Sequence, residues 1–204
     1  MSNPNGMVYL VDDEPGMVKA VTRLLRASGF EVRGFTTPTS FLEAYRAESD
    51  SCLILDVAMP ELDGLHLQRR LIHDGILLPI VFLTGQGDIP MTVRAIKAGA
   101  VDFLTKPVND ADLLRAVRAA LVRAAQQRET AAISLRLARL TAREREVMEH
   151  VIAGKLNKQI ASDLGTGEQN VKIHRGRMMH KMEMDSVADL VRIAEKLGIG
   201  KRED

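Results

Sequence analysis

The feature that most constrains the fold of this chain is a fivefold alternation between short apolar runs and amphipathic segments in its first half. A short apolar run bounded by turn residues predicts a buried strand, and apolar residues that recur every three or four positions predict a helix. Strict alternation predicts an α/β fold of (βα)5 type, a doubly wound parallel sheet with right-handed crossovers. We expect strands over residues 7–11, 30–35, 53–56, 80–84 and 101–104, separated by helices over 16–27, 38–47, 64–73 and 90–98.

Polar side chains stand where the predicted strands end. Asp12 and Asp13 follow the first strand, Asp56 ends the third, Thr84 ends the fourth, and Lys106 follows the fifth. Parallel strands bring their carboxyl ends to one edge of the sheet, where open α/β sheets bind ligands. We therefore expect these side chains to lie together. Taken alone, Asp56 is as typical of an acid that caps the next turn as of a functional residue. The polar residues at the other strand ends favour a functional role.

The residue types in this set indicate phosphoryl transfer. Three carboxylates that are forced together resist ionisation unless a cation lies between them, and ligands that are all oxygen suit a hard ion. We expect Mg²⁺, or Mn²⁺ in its place. An ammonium and a hydroxyl beside the metal would neutralise phosphoryl oxygens while a carboxylate attacks in line. A calcium site would require more acids within one loop.

These motifs resemble the receiver domain of two-component response regulators, over residues 7 to about 125. The motifs are Asp12-Asp13, Asp56 in Asp-Val-Ala-Met-Pro-Glu-Leu-Asp-Gly, Thr84-Gly85 and Lys106-Pro107. Each is weak alone, but their order and spacing together are specific. The resemblance implies that Asp56 accepts a phosphoryl group from a sensor histidine kinase. It also implies no enzyme activity beyond promoting the protein's own phosphorylation and dephosphorylation.

The resemblance further implies a role for each residue of the set. Thr84 and Lys106 would bind the phosphoryl oxygens, and the Lys106-Pro107 bond would be cis. Phe103 would be the switch aromatic that turns inward when Thr84 moves, although a core aromatic on a strand also describes Phe103. The implied metal ligands are all oxygens, from Asp12 (through water), Asp13, Asp56 and the main-chain carbonyl of Ala58.

The stretch from Thr84 to Pro107 resembles the FixJ subgroup of these regulators. In that subgroup phosphorylation exposes a dimerising face made by the fourth helix and the fifth strand, here about residues 91–112. The candidate contacts on this face are Val93, Ile96 and Val101. The resemblance therefore implies a homodimer when the protein is phosphorylated.

The segment after the fifth strand predicts a long helix, because no proline or glycine occurs between Pro107 and Gly154. Helix can run from about Asp110 through the late 130s. Its heptad series are short and alanine-rich, so a helical strut between domains is favoured over a free-standing coiled coil. A last receiver helix with a frayed end is the ordinary alternative. We place the receiver domain at 1–125, the helical linker at 126–139 and a C-terminal domain at 140–204.

The pattern after Leu140 is entirely helical. Thr141-Ala-Arg-Glu144 is a capping box that opens a helix to about Ala153. A short helix over 157–164 stops at Gly165, and longer helices follow over 168–182 and 187–197. A short helix, a glycine-containing turn and a longer helix form a helix-turn-helix arrangement.

The third helix of this domain is basic. Between Gln169 and Met182 there are four cations and no acid. Local positive charge suits DNA phosphates, although a solvated helix face explains it about as well. The order of Leu-Thr-Ala-Arg-Glu-Arg-Glu-Val-Met, Asn-Lys-Gln-Ile-Ala and Val-Lys-Ile-His-Arg resembles the LuxR-type output domain of the same regulators, over residues 139–200.

This second resemblance implies that the basic helix enters the major groove of double-stranded DNA. Lys172 and Ile173 would meet base edges. His174 is interpreted as a packing residue because no second ligand stands at metal spacing, and Gly176 in mid-helix leaves base preference open. The other implied DNA contacts, most of them to phosphates, are Lys158, Gln169, Asn170, Arg175, Arg177 and Lys181.

Composition excludes several other classes. With 46% hydrophobic and 27% charged residues, the chain is globular rather than disordered. It has no apolar leader and no run of 18 apolar residues, so we expect a cytoplasmic protein with no membrane partner. The single cysteine, Cys52, is interpreted as a buried hydrophobe rather than a redox sensor. With 3% aromatic residues, base stacking is a poor hypothesis.

The sequence thus predicts a transcriptional regulator whose partners are a histidine kinase, double-stranded DNA, a second copy of itself and RNA polymerase. A hydrolytic phosphatase with Asp56 as nucleophile is the enzymatic alternative. It would require a second acid two residues later, where Ala58 stands. A receiver with an RNA-binding output is the other alternative, and salt-dependent binding to duplex DNA but not to RNA hairpins would exclude it.

Overall fold

The computed structural model describes residues 6–46, 50–60, 62–85 and 89–199. The chain divides into two compact units, residues 1–128 and 129–204. Three sequence predictions touch positions outside the described residues. They are the end of the helix predicted over 38–47, Glu61 of the Asp56 motif, and residues 86–88 of the FixJ-like stretch.

The first unit is a five-stranded parallel sheet in the order β2-β1-β3-β4-β5, which confirms the predicted doubly wound fold. Its strands are β1 (Met7–Val11), β2 (Glu31–Phe35), β3 (Ser51–Asp56), β4 (Ile80–Thr84) and β5 (Asp102–Thr105). The helices between them are α1 (Pro15–Ala27), α2 (Pro38–Ala44), α3 (Gly64–His73) and α4 (Ile89–Lys97). Helix α5 (Asp110–Ala138) follows β5 and corresponds to the long helix predicted from the sequence.

The central strand β3 is buried along its whole length, as a strand with helices on both faces must be. Cys52 and Ile54 face one core, with side chains of α1 and α5, while Leu53 and Leu55 face the other, with side chains of α3. Burial raises the pKa of the Cys52 thiol to about 12, so the sulfur remains a neutral core atom. This agrees with the interpretation of Cys52 as a buried hydrophobe.

Helix α2 is shorter than predicted. It ends at Ala44 because Tyr45 has extended backbone, with φ −62° and ψ 134°. The Tyr45 ring instead packs against Tyr9 and Phe41, with ring centroids 5.4 and 5.7 Å apart. An aromatic cluster that draws on a distant strand overrides the local helical pattern here.

The second unit is entirely helical in its described residues. It contains the end of α5 and α6 (Ala142–Ile152), α7 (Asn157–Asp163), α8 (Glu168–Met182) and α9 (Val187–Leu197). The predicted capping box is confirmed, since Glu144 N–H donates to Thr141 Oγ1 and Thr141 N–H donates to Glu144 Oε2. The core of this unit is formed by apolar side chains of every one of these helices, including Ile133, Val147, Ile160, Val171 and Leu190.

None of the helices in the described part of the chain combines the length and apolarity that a membrane span requires.

Candidate functional site

The acidic residues predicted to converge do so. Val11 pairs with Leu55 in the register of β1 and β3, so Asp12 and Asp56 are the next residues along two adjacent strands. Ligand oxygens of Asp12, Asp13 and Asp56 all lie within 4.8 Å of one another. Asp12 and Asp56 are buried, which places two carboxylates in a region of reduced dielectric at the edge of the sheet.

Lys106 bridges these carboxylates. Its Nζ lies 2.7 Å from Asp12 Oδ2 and 3.0 Å from Asp56 Oδ2. The same ammonium is 3.6 Å from Glu14 Oε1. Glu14 was not among the residues predicted for the site, although its position directly after the acidic pair was the available signal. The Glu14 main-chain N–H also donates to Asp12 Oδ1 at 3.0 Å, which fixes the first loop against the site.

Two pKa shifts follow from this arrangement. Burial raises the pKa of Asp56, and the nearby Asp12 charge adds to the increase, while the bond to Lys106 opposes it. For Lys106, burial alone would lower the pKa, but hydrogen bonds to Asp12 and Asp56 outweigh burial and raise it. The lysine is therefore held as a cation, and ionised Asp56 is disfavoured relative to an ordinary aspartate.

Thr84 and Ala58 make main-chain contacts with Lys106 and Asp56, while their predicted roles stay predictions. Thr84 is buried at the end of β4, and its carbonyl accepts a hydrogen bond from Lys106 N–H at 2.7 Å. Ala58 is exposed, and its N–H donates to Asp56 Oδ1 at 3.3 Å. The Lys106-Pro107 peptide bond is cis.

Phe103 lies on β5, half-buried, with its ring centroid 5.9 Å from that of Phe82. It packs at the margin of the core that contains Leu55 and Ala95. The structure thus gives Phe103 a core contact, and its switch role stays a prediction.

The donor set fits a hard divalent cation. All three clustered side chains offer carboxylate oxygens, and among the described residues they form the group whose spacing suits a metal ion. His174, the histidine considered for metal binding, is half-buried in α8 and belongs to no such group in the described residues.

The second candidate site is the outer surface of α8. Val171, Met178 and Met182 form its buried side, while Lys172, Ile173 and Arg177 are exposed. Ile173 is 43% exposed. Gln169 and Lys158 are exposed as well.

Three of the predicted DNA contacts have partners within the domain. Arg175 donates to Asn157 Oδ1 at 2.8 Å and thereby ties α8 to the first turn of α7. Asn170 donates to Thr166 Oγ1 at 3.2 Å. Lys181 forms a 2.6 Å ion pair with buried Glu144 and donates to the Arg139 carbonyl at 3.2 Å. This pair gives Lys181 a role in the fold, and its DNA contact stays a prediction.

A doubly wound sheet with lysine-bridged carboxylates at its edge and a separate helix-turn-helix unit define a class, the two-component response regulators. The chain matches the model of the response regulator receiver domain over residues 8–118. It also matches that of the bacterial regulatory proteins of the luxR family over residues 138–199. The protein belongs to the response regulators with a LuxR-type output domain, of the FixJ/NarL type. It is a transcriptional regulator of a two-component system and not a classical enzyme.

Curated relatives and solved structures agree with this assignment. The chain is 45% identical over 201 residues to the response regulator protein TmoT of Ectopseudomonas mendocina, covering 97% of this chain and 91% of the relative. It is 39% identical over 198 residues to the transcriptional regulatory protein FixJ of Bradyrhizobium diazoefficiens, covering 95% and 97%. The structure of the response regulator StyR is similar with a TM-score of 0.72 and 42% identity, covering 93% of this chain and 98% of that one.

Proposed function

We propose that Asp56 accepts a phosphoryl group from a sensor histidine kinase and that Mg²⁺, or Mn²⁺, assists. The observation that carries this proposal is the Lys106 ammonium held between Asp12 and Asp56 at the carboxyl edge of the sheet. A cation that binds two carboxylates at hydrogen-bond distance is in position to bind phosphoryl oxygens once one carboxylate is phosphorylated.

The proposed chemistry is an in-line displacement. A carboxylate oxygen of Asp56 forms the new O–P bond as the P–N bond of the phosphohistidine breaks, and the kinase imidazole leaves with the electron pair. Lys106 and the Thr84 hydroxyl would then bind the transferred oxygens. The metal, when bound, neutralises charge on the phosphoryl oxygens. Its proposed ligands are Asp12 through water, Asp13, Asp56 and the Ala58 carbonyl.

We propose double-stranded DNA as the ligand of α8. Lys172 and Ile173, both exposed, would meet base edges in the major groove. Cations on either side would hold phosphates and fix the register of the helix. The proposed phosphate and flanking contacts are Lys158, Gln169, Asn170, Arg175, Arg177 and Lys181.

We further propose that phosphorylation produces a homodimer through the α4 and β5 face. Val93 and Ile96 are 43% and 44% exposed on α4. Val101 is half-buried against the receiver core, so it has the least surface available for contact among the three candidates. Two output domains brought together would bind two half-sites with a gain from effective concentration. We also propose that the protein contacts RNA polymerase and is located in the cytoplasm. The proposed domain boundaries lie at 125/126 and 139/140.

The test combines intact-mass measurement with sedimentation velocity, in Mg²⁺ and acetyl phosphate. Wild type is expected to gain one phosphate and to dimerise, and Asp56→Asn to do neither. Asp74→Asn is the control, because Asp74 is an exposed acid at the end of α3. Phosphate uptake by Asp56→Asn equal to wild type would refute Asp56 as acceptor. Uptake by wild type without dimerisation would refute the dimer proposal alone.

A further inference from the structure

An open groove of about 840 Å³ lies between α1 and β2, on the receiver unit. Val18 and Thr22 of α1 form one wall, and Gly34 and Thr36 of β2 and its following turn form the other. The phosphorylation site described above shares none of these residues. The kind of ligand that fits this groove follows from its charge and from the strand that borders it.

The groove is positively charged. Lys19, Arg23 and Arg26 line it, and no acidic residue is among the described residues that do so. Its other lining residues are apolar or carry hydroxyl groups. These features favour a ligand that combines carboxylates with apolar side chains.

The strand beside the groove is an edge strand. β2 has β1 as its single neighbour in the sheet. The Phe35 carbonyl accepts from Asp12 N–H at 3.2 Å, so Phe35 directs its main-chain groups toward β1. Because these directions alternate along a parallel strand, Val32 and Gly34 direct theirs to the outer edge. Arg26 confirms this for Val32, whose carbonyl accepts from the guanidinium at 3.0 Å.

Gly34 makes the main chain accessible at this edge. A Cβ at Gly34 would lie 2.5 Å from Val18 Cγ1 and 3.2 Å from Thr22 Oγ1, so a side chain cannot be accommodated. The outward N–H and C=O of Gly34 are therefore not covered by a side chain of their own residue. An edge strand with bare main-chain groups pairs readily with an added strand.

We propose that this α1/β2 groove binds an acidic, extended peptide segment of a partner protein by strand addition to β2. Main-chain groups of the peptide would pair with Gly34, and its carboxylates would contact Lys19 and Arg23, with Arg26 at the end of the paired segment. Alternate apolar side chains of the peptide would lie against Val18. The groove shares no lining residue with the acidic site or with α8.

The probe is a fluorescein-labelled peptide, Glu-Thr-Val-Ser-Glu-Thr-Val-Ser, whose glutamates and valines share one face of a strand, titrated into the unphosphorylated full-length protein. Fluorescence anisotropy is expected to show saturable binding, and two-dimensional ¹⁵N NMR to show shifts centred on Gly34 and Thr36. Replacing both threonines of the peptide with proline removes two N–H donors and is expected to abolish binding. Replacing its glutamates with glutamine tests the charge requirement.

Charge reversal in the groove completes the test. Arg23→Glu is expected to weaken binding by about tenfold or more, because a salt-bridge partner becomes a repelling charge. Arg69→Glu makes the same change on the exposed side of α3 and is expected to leave affinity unchanged. Equal binding by Arg23→Glu, equal binding by the proline peptide, shifts confined to α8, or no binding at all would each overturn the proposal.

Discussion

Lys106 Nζ lies 3.0 Å from Asp56 Oδ2 although the two residues are 50 positions apart in the chain. The distance reflects the parallel sheet, which brings the ends of β3 and β5 to one edge. The bond lowers the pKa of Asp56, yet burial and Asp12 together raise it more. The site therefore stabilises a cation well and an isolated Asp56 carboxylate poorly.

The first prediction concerns stability at this site. A carboxyl group whose folded-state pKa is raised favours the folded state below its unfolded pKa, near 3.9, and this contribution is lost as pH rises through the folded-state pKa. At pH 7 and without metal, the ionised Asp56 carboxylate therefore destabilises the folded state. We expect Asp56→Asn to raise the midpoint of thermal unfolding of the receiver by about 2–5 °C, the shift that roughly 1 kcal/mol produces.

Magnesium supplies the matched comparison. Binding to the folded state stabilises it, so Mg²⁺ is expected to raise the wild-type midpoint more than that of Asp56→Asn, which lacks one proposed ligand carboxylate. Differential scanning calorimetry at pH 7, with and without Mg²⁺, measures both effects. Asp74→Asn should behave as wild type. Identical magnesium shifts for wild type and Asp56→Asn would argue against Asp56 as a ligand.

The next prediction concerns Gly176, which destabilises helix α8 because glycine is unfavourable in the interior of a helix. A Cβ at this position would meet nothing within 4 Å, and the residue is exposed in mid-helix. Alanine is favoured over glycine there by about 0.8–1.0 kcal/mol. We expect Gly176→Ala to slow amide hydrogen exchange in α8 by about 2- to 5-fold.

Gly165 is the control for this substitution. It lies in the turn between α7 and α8 at φ +58°, where an L side chain is strained. Gly165→Ala is expected to speed exchange in the same helix. If both substitutions shift exchange in one direction, conformational preference is not what distinguishes the two glycines.

Much of this structure could be predicted from local patterns. Strand and helix positions follow from apolar periodicity, and the convergence of Asp12, Asp56 and Lys106 follows from strand ends in a parallel sheet. What local patterns could not give depends on contacts between distant residues. Tyr45 lies beyond the end of α2 and packs in an aromatic cluster with Tyr9. Lys181 forms an ion pair with Glu144, which is 37 positions away. The residues next to Tyr45 and Lys181 in the sequence do not indicate either contact.

The Glu144 and Lys181 pair is expected to stabilise the output unit. The Lys181 bond lowers the pKa of Glu144, with further help from Thr141, although burial opposes it. Stability from a lowered carboxyl pKa is present above the unfolded value, near 4.3, and is lost as pH falls through the folded value. Lys181→Met should therefore destabilise this unit by about 1–2 kcal/mol at pH 7, and by less below about pH 4.

Chemical denaturation followed by circular dichroism at the two pH values measures this difference. Lys196→Met is the control, since Lys196 pairs with Glu129 at an exposed position where an ion pair contributes little. A loss that is the same at both pH values would mean that Lys181 acts through packing of its aliphatic chain rather than through its charge.

The proposed dimer face on α4 and β5 yields a prediction based on two isoleucines of similar exposure. Ile96 on α4 is 44% exposed and Ile72 on α3 is 50% exposed. A carboxylate at the centre of an apolar interface lacks a partner and is costly to bury. Ile96→Glu should accept phosphate as wild type does but remain monomeric in sedimentation velocity, whereas Ile72→Glu should dimerise. Dimerisation of both phosphorylated variants would move the interface away from α4.

The proposed DNA-binding surface of α8 can be tested on a duplex of any sequence, because phosphate contacts make the binding constant depend on salt concentration. Each neutralised phosphate contributes about −0.9 to the slope of log K against log salt concentration. Arg177 is exposed on α8. Arg177→Ala is therefore expected to reduce the magnitude of this slope by about 1 on a random-sequence duplex. Arg192→Ala on α9 removes a cation that is paired with Asp189 and should leave the slope unchanged. Fluorescence anisotropy at several salt concentrations measures both, and equal slopes for Arg177→Ala and wild type would place Arg177 outside the phosphate contacts, whatever its effect on affinity at a single salt concentration.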